Sequence, residues 1–463
     1  MRKRSHRVQV MCIAMGLALV AAACGDDDGG PEVSSPSSDA TSSSTTAASS
    51  STTAASGGGD QGGSSGAGAG GGDNSVSFST DYPKADVDRS GETIKVGFVN
   101  NEGGTYSLPE YRVGAELAVE HINATGGVNG AKIDLQVCSD DASPEGSVNC
   151  ANRFVEDGVP VVTMGFDAAF EAAQPVLEDA RIPFIGTALL GPNQRTSETA
   201  FGLGTASGSY FTSPLYALKE LGAKKVYFLS EDTPSSHDSA ELIQRTSRGV
   251  GIEVESAFVD PSAPDYAPLI QVASASGADA IWAFVSEPHC VQFVQAARNA
   301  GYEGELLAGV CSTFIESVGD AAVGTLTFAD HYTPDVASSA PPRIQENLAE
   351  YEKVMKDAGQ EELLNTGAGT VFGMMMNVRR ILESIPEGPI SAETVLTAAS
   401  QVRNMPSWDS PDVDCADHPW PSEPSSCRNG LLMLRTVERD GKIVREALNA
   451  ENNGFRSDPD PEA

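Results

Sequence analysis

The stretch Thr93-Ile94-Lys95-Val96-Gly97-Phe98-Val99, with the segment 111–123 behind it, decides the fold. The first is a short β-rich apolar run, as expected of a strand buried on both faces of a parallel sheet. In the second, Gly114, Ala118 and Ile122 share one helical face, with Val113, Leu117 and His121 beside it. Gly126-Gly127 stops this helix by supplying a left-handed C-terminal conformation. Val128-Asn129-Gly130 turns the chain, and Ile133-Asp134-Leu135-Gln136-Val137 is a second strand.

Working outward, the alternation continues. Pro144 suits the first position of a helix running to about 157. Strands are expected at 160–165 and 182–186, with a helix at 172–180 between them. The pattern then restarts, with helices at 210–221, 239–250, 267–276 and 290–300. Strands at 225–229, 252–255, 280–285 and 305–309 alternate with them. Alternating β and α implies parallel sheets with helices on both faces, and two such runs imply two similar lobes. Helical patterns at 341–358, 367–385 and 392–402 and a late strand at 431–435 complete the body. The expected fold class is α/β, two doubly wound parallel-sheet lobes joined by crossover hinge segments.

Composition narrows the function. The 463 residues carry 30 Lys+Arg against 64 Asp+Glu, a net charge of −34. Such a polyanion repels nucleic-acid phosphates and anionic membrane surfaces, so no nucleic-acid partner is expected. The hydrophobic content of 40% supports a packed core. No apolar run reaches the ~20 residues of a spanning helix.

The first residues read as an export signal. Arg2, Lys3, Arg4 and Arg7 form a basic start, and 8–23 is apolar, broken only by Gln9. Leu19-Val20-Ala21-Ala22-Ala23-Cys24 looks like a bacterial lipobox, in which the Cys24 sulfur receives diacylglycerol after cleavage. The alternative is an ordinary signal cut near Ala23. Residues 24–90 are Ser-, Thr-, Gly- and Ala-rich and cannot bury enough apolar surface to offset ordering entropy. Such a tether reaches roughly 40–50 Å. The protein is therefore expected outside the cytoplasm, anchored to the cell membrane by an N-terminal lipid. Gly66-Ala67-Gly68-Ala69-Gly70-Gly71 matches a nucleotide-loop pattern but has neither strand nor helix around it.

Beyond the signal region six cysteines remain, and an even count outside the cytoplasm argues for disulfides. Neighbour pairing is expected, because the coarse elements bring Cys138 to Cys150, Cys290 to Cys311 and Cys415 to Cys427. The rival is a metal set of Cys290, Cys311, His289 and His331, although no C-x-x-C occurs. Neither a metal nor a cofactor is expected.

The run 94–99, the stretch Ile122-Asn123-Ala124-Thr125-Gly126-Gly127-Val128-Asn129-Gly130, and Ser139-Asp140-Asp141-Ala142-Ser143-Pro144 carry a resemblance. In order and spacing they resemble the leucine/isoleucine/valine-binding type of class I periplasmic binding protein. Gln174-Pro175, Pro183-Phe184-Ile185 and the segment 293–301 agree, and the likeness covers about 92–405. The resemblance implies two lobes closing on one small solute, delivered to an ABC permease complex, and a monomer. Lobe one is then expected at 91–207 and 331–405, lobe two at 208–330 and 406–455, and an acidic tail at 456–463.

In open parallel sheets, ligands sit beyond the carboxyl ends of the strands. Those ends fall at 100–106, 165–170 and 187–190 in lobe one, and at 230–238, 286–288 and 310–313 in lobe two. By position, the resemblance places lobe-one ligand contacts on Asp167, Ala168, Ala169, Thr187 and Ala188. It places those of lobe two on Ser236, His237, Glu287 and Ser312. Tyr106, Phe166 and Phe170 would wall the apolar part. For Asp167, Glu287 and His237 a turn or capping role stands beside the binding role, and for the aromatics, packing. The chain departs from the amino-acid binders in its Gly165-Phe166-Asp167-Ala168-Ala169-Phe170 loop, where theirs is serine-rich. Asp167 repels a ligand carboxylate unless it faces an amine.

Catalysis is not expected. Gly202-Leu203-Gly204-Thr205-Ala206-Ser207-Gly208 is the nearest thing to a phosphate loop, and its third glycine is misplaced. In the body from about 92 onward, no G-x-S-x-G, H-E-x-x-H or G-x-x-x-x-G-K-[ST] occurs. A second reading remains, a ligand-sensing input protein acting through a separate membrane partner.

Overall fold

The computed structural model describes residues 76–103, 107–167, 169–448 and 451–460. Cys24, the signal, nearly all of the tether, Tyr106 and Ala168 lie outside the described residues. Among those described, no helix is long and apolar enough to cross a membrane.

The first run contains β1 (Thr93–Asn100), α1 (Pro109–Ala124), β2 (Lys132–Ser139), α2 (Pro144–Asp157) and β3 (Val162–Met164). It continues with α3 (Gln174–Asp179), β4 (Phe184–Gly186), α4 (Pro192–Thr196) and β5 (Ala200–Gly202). These strands form a five-stranded parallel sheet in the order β2-β1-β3-β4-β5.

The second run contains α5 (Ser209–Glu220), β6 (Lys225–Glu231), α6 (Pro234–Val250), β7 (Glu253–Val259) and α7 (Tyr266–Ala275). Then come β8 (Ala280–Phe284), α8 (Glu287–Asn299), β9 (Glu305–Leu307), α9 (Phe314–Val318) and β10 (Leu326–Ala329). Three helices follow, α10 (Pro342–Asp357), α11 (Gly367–Glu383) and α12 (Ala392–Ser400). The chain finishes with β11 (Leu431–Arg439), β12 (Lys442–Ala447) and β13 (Phe455–Arg456). The second sheet has the order β12-β11-β10-β9-β8-β6-β7, with β13 paired to β11. Its late strand β11 runs antiparallel to β10 and β12, and the strands from β7 to β10 are parallel.

Local chemistry explains the boundaries. The Ser143 hydroxyl accepts from the Gly146 amide at 3.1 Å, Pro144 opens α2, and Gly158 closes it at φ +63°. In the first core, Val96 and Phe98 are wholly buried under Ala115, Ala118 and Ile122 of α1. Each such large apolar side chain contributes about 1.5–3 kcal/mol by leaving water. Gly114 lets α1 meet α11 backbone to backbone, because a Cβ there would lie 2.2 Å from the Ala368 carbonyl oxygen.

The chain crosses between the sheets at 203–208, at 330–341 and again before β11. Helices α10, α11 and α12 send Tyr351, Met375, Val395 and their neighbours into the first-sheet core. Met405, Trp408, Val413, Cys415 and Cys427 share that core too, so the third crossover leans on the first lobe until β11 begins. At the chain end, Arg456 is tied to Asp458 at 2.7 Å and to Glu220 at 2.9 Å, and Asp458 is buried. The six body cysteines pair as neighbours, Cys138–Cys150, Cys290–Cys311 and Cys415–Cys427.

Candidate functional site

Each sheet reverses its strand order once. In the first, the chain builds β1 and β2 outward on one side and β3 to β5 on the other; in the second, β6 and β7 part from β8 and β9. Crevices at such switch points, beyond the carboxyl ends of the strands, are where doubly wound sheets hold ligands. The two sets of strand ends adjoin. Thr187 beyond β4, Gly204 beyond β5 and Asp330 beyond β10 line one cavity of about 20 Å³, room for about one water.

At the first switch point stand Asn100, Asn101 and the 165–169 loop. Both asparagines are buried. The Asn100 Nδ2 donates to Glu102 at 3.1 Å, while its Oδ1 and the Asn101 Nδ2 find no partner among the described residues. Glu102 is clasped by Arg112, Nε to Oε2 at 2.7 Å, which holds its carboxyl below the usual range. The Asp167 Oδ1 accepts from the Ala169 amide at 2.8 Å. Its Oδ2 is buried without a hydrogen-bond partner among the described residues, with Asp140 nearby, which itself accepts from the Ser147 hydroxyl at 2.5 Å. Burial, and then the neighbouring Asp140 charge, push Asp167 up to about 7.

At the second switch point stand Glu231, Ser286 and His289. The Glu231 Oε1 accepts from the Ser286 amide at 3.0 Å and from its hydroxyl at 2.6 Å. The same oxygen lies 2.7 Å from His289 Nδ1. Burial would raise Glu231, but the Ser286 donors and His289 outweigh it and hold the carboxyl low. Tyr266 packs edge-on to the imidazole, and its buried hydroxyl has no partner among the described residues.

The residues expected in the site divide. Phe166 is exposed and Ala188 buried. The Thr187 hydroxyl donates to the Gly165 carbonyl at 2.5 Å, below the 165–169 loop. Phe170 is wholly buried against Phe184, ring centroids 4.8 Å apart, so it packs the core rather than lining an opening. In the second lobe, Ser236 shares hydroxyl bonds with Ser230 and Thr233. His237 pairs with Asp232 at 2.8 Å and stacks on Phe258. Glu287 spends its carboxylate on the amides of Ser312, Thr313 and Phe314 at 2.9, 2.6 and 2.7 Å, which caps α9. Ser312 is thus tied to Glu287 through its backbone. Glu231, His289, Asn100 and Asn101 were not singled out as site residues from sequence. The usable signal was their place at strand ends nearest the order reversals.

Cys290 and Cys311 are bonded to each other, so the four-residue metal set is not assembled. The glycine-rich 202–208 stretch is the end of β5 and the first crossover, not a phosphate loop.

Residues 93–423 match the family model described as periplasmic binding protein. The chain belongs to that family. Its resemblance to leucine/isoleucine/valine binders is matched by relatives. A Leu/Ile/Val-binding protein homologue of Brucella suis is 24% identical over 263 residues, 54% of this chain and 67% of the relative. A leucine-, isoleucine-, valine-, threonine- and alanine-binding protein of Pseudomonas aeruginosa is 24% identical over 255 residues, 52% of this chain and 68% of its own. Among solved structures, a leucine binding protein from Thermotoga maritima superposes with a TM-score of 0.61 at 18% identity, covering 76% of this chain and 98% of that one. A solute binding protein from Rhodopseudomonas palustris in complex with 4-hydroxybenzoate gives 0.60 at 21% identity, covering 76% and 95%. This periplasmic binding protein therefore has the type I fold. The family is one of extracytoplasmic solute-binding proteins and not of enzymes.

Proposed function

We propose that this periplasmic binding protein captures a small polar solute between its lobes and hands it to an ABC importer. The observation that carries the reading is the pair of switch points, each furnished with buried polar groups. Asn100 Oδ1 and Asn101 Nδ2 on one side and the Tyr266 hydroxyl on the other lack protein partners. Buried polar groups without partners are costly, and a solute would satisfy them.

The solute is an amino acid or an aromatic acid. Relatives and neighbours of both kinds support that range. Its acid group is assigned to the second lobe. There the His289 imidazole lies 2.7 Å from Glu231 at Nδ1 and brings a cationisable ring to this switch point, whereas Asp167 and Asp140 oppose a carboxylate in the first lobe. Phe166, Asp167, Ala169, Thr187 and Ala188 border the first-lobe side, and Ser236 and His237 the second. Tyr106 and Ala168 fall on the first-lobe side by sequence. A lipid on Cys24 and the low-complexity tether would keep the body at the membrane.

A thermal-shift screen across amino acids, amides, polyols and aromatic acids tests this. Saturating a site at about 100 times its Kd stabilises by about 2.7 kcal/mol, a clear rise in melting temperature. Flat melting curves for every class would overturn solute capture. For the anchor, a Cys24→Ser protein is expected in the soluble fraction, and membrane retention equal to the parent would contradict acylation.

A further inference from the structure

We propose that the segment 423–430 is a hinge clip, which holds the other two crossovers together and thereby sets how readily the lobes open. This rests on the two-lobed solute-trap reading, and the test below uses no solute, so the two can fail separately.

The clip engages the first crossover through side chain and backbone. Glu423 is buried, and its carboxylate accepts from the Ser207 amide at 2.7 Å and the Gly208 amide at 2.9 Å. Arg195 reaches the same carboxylate at 3.4 Å. The Gly202 amide donates to the Ser425 carbonyl at 2.9 Å, and the Cys427 amide returns to the Gly202 carbonyl at 2.8 Å. The Ala206 amide donates to the Arg428 carbonyl at 2.8 Å. This is a short parallel pairing laid on the outer edge of β5, the strand that leads into the hinge.

The same clip engages the second crossover. Arg428, buried, donates from Nη2 to the Asp330 carbonyl at 2.6 Å. Asp330 in turn pairs with His331 at 2.6 Å. A closed loop, Cys415 to Cys427, stands at the base of the clip, and within it Trp420 packs on Gly208, where a Cβ would lie 2.9 Å from the indole.

Hinge closure is a change of φ and ψ at a few crossover residues. Here the amides of 202–208 and the carbonyl at 330 are bonded to one segment. Rotating one crossover therefore pulls on the segment to which the other is also bonded. Glu423 is a positioning residue in this scheme. It touches the first crossover and not the second, which makes the coupling testable.

Hydrogen exchange on the full chain tests it, comparing the parent with Glu423→Ala and Glu423→Gln. The expected result is exchange at least about tenfold faster in Glu423→Ala over 202–209 and also over 330–334, which Glu423 does not touch. Exchange in β1 and β6 should stay as in the parent. Glu423→Gln, which keeps an acceptor oxygen, should show the same two regions moving by a smaller factor. Acceleration confined to Ser207 and Gly208, or none, would reduce Glu423 to a local cap and overturn the clip. If Glu423→Ala does not fold, the same two regions in Glu423→Gln decide between these outcomes.

Discussion

Asp140 follows β2 and Asp167 follows β3, yet both are buried beneath the first switch point, near enough for Asp140 to act on Asp167. Burial and a second carboxyl beside it both disfavour the charged form of Asp167. Asp167 is pushed up to about 7, and Asp409 at the hinge, by burial before any charge effect, up to about 6. In both, the folded protein binds a proton that the unfolded chain has released above about pH 4. Stability should therefore fall as pH rises from about 4 through 7. Asp167→Asn replaces the proton-binding carboxyl with an amide that stays neutral at every pH. It is expected to stabilise by about 1–3 kcal/mol at pH 8 and to be near neutral at pH 5. Thermal melts at the two pH values check this, and an equal shift at both would remove the pair from the account. At the second switch point, His289→Ala should weaken binding of the best solute from the screen at least about tenfold, a cost of about 1.4 kcal/mol. Glu287→Ala should instead lose about 0.5–2 kcal/mol of stability through α9, with little change in affinity.

Among the elements, the legible ones were those with enough length to show a period. Helix α1 and strands β1, β2, β6 and β8 stand close to where spacing and apolar runs put them. Strands β5, β10 and β12 went unseen for different reasons. Ala200-Phe201-Gly202 is too short to show a period, and Gly202 drew attention as part of a glycine loop. Leu326-Thr327-Phe328-Ala329 is equally brief, and Lys442–Ala447 carries charge because it forms the sheet edge. The hydrogen-bond partners of Glu287 and Glu423 lie far along the chain, so no local pattern could reveal them. Two predictions belong at this level. Gly114→Ala drives a methyl into the Ala368 backbone and should cost about 1–3 kcal/mol by forcing α1 from α11. Replacing Cys138 and Cys150 by serine should cost about 3 kcal/mol, read from denaturant midpoints.

For the whole molecule, the two-lobed plan was legible because the βα alternation restarts after β5, and a parallel sheet needs such crossovers. The hinge was not legible. Its parts come from 202–208, 330–331 and 405–430, stretches without periodicity that only the fold assembles. The same holds for the site, where strand ends could be located but the choice of side chains depended on contacts between them. Lobe closure can be driven only by the difference in solute affinity between open and closed forms. Small-angle scattering of the full chain, with and without the solute giving the largest melting shift, measures that closure. The account predicts a smaller radius of gyration with solute, and a His289→Ala protein that needs more solute to reach it. An unchanged radius at saturating solute would contradict capture by lobe closure.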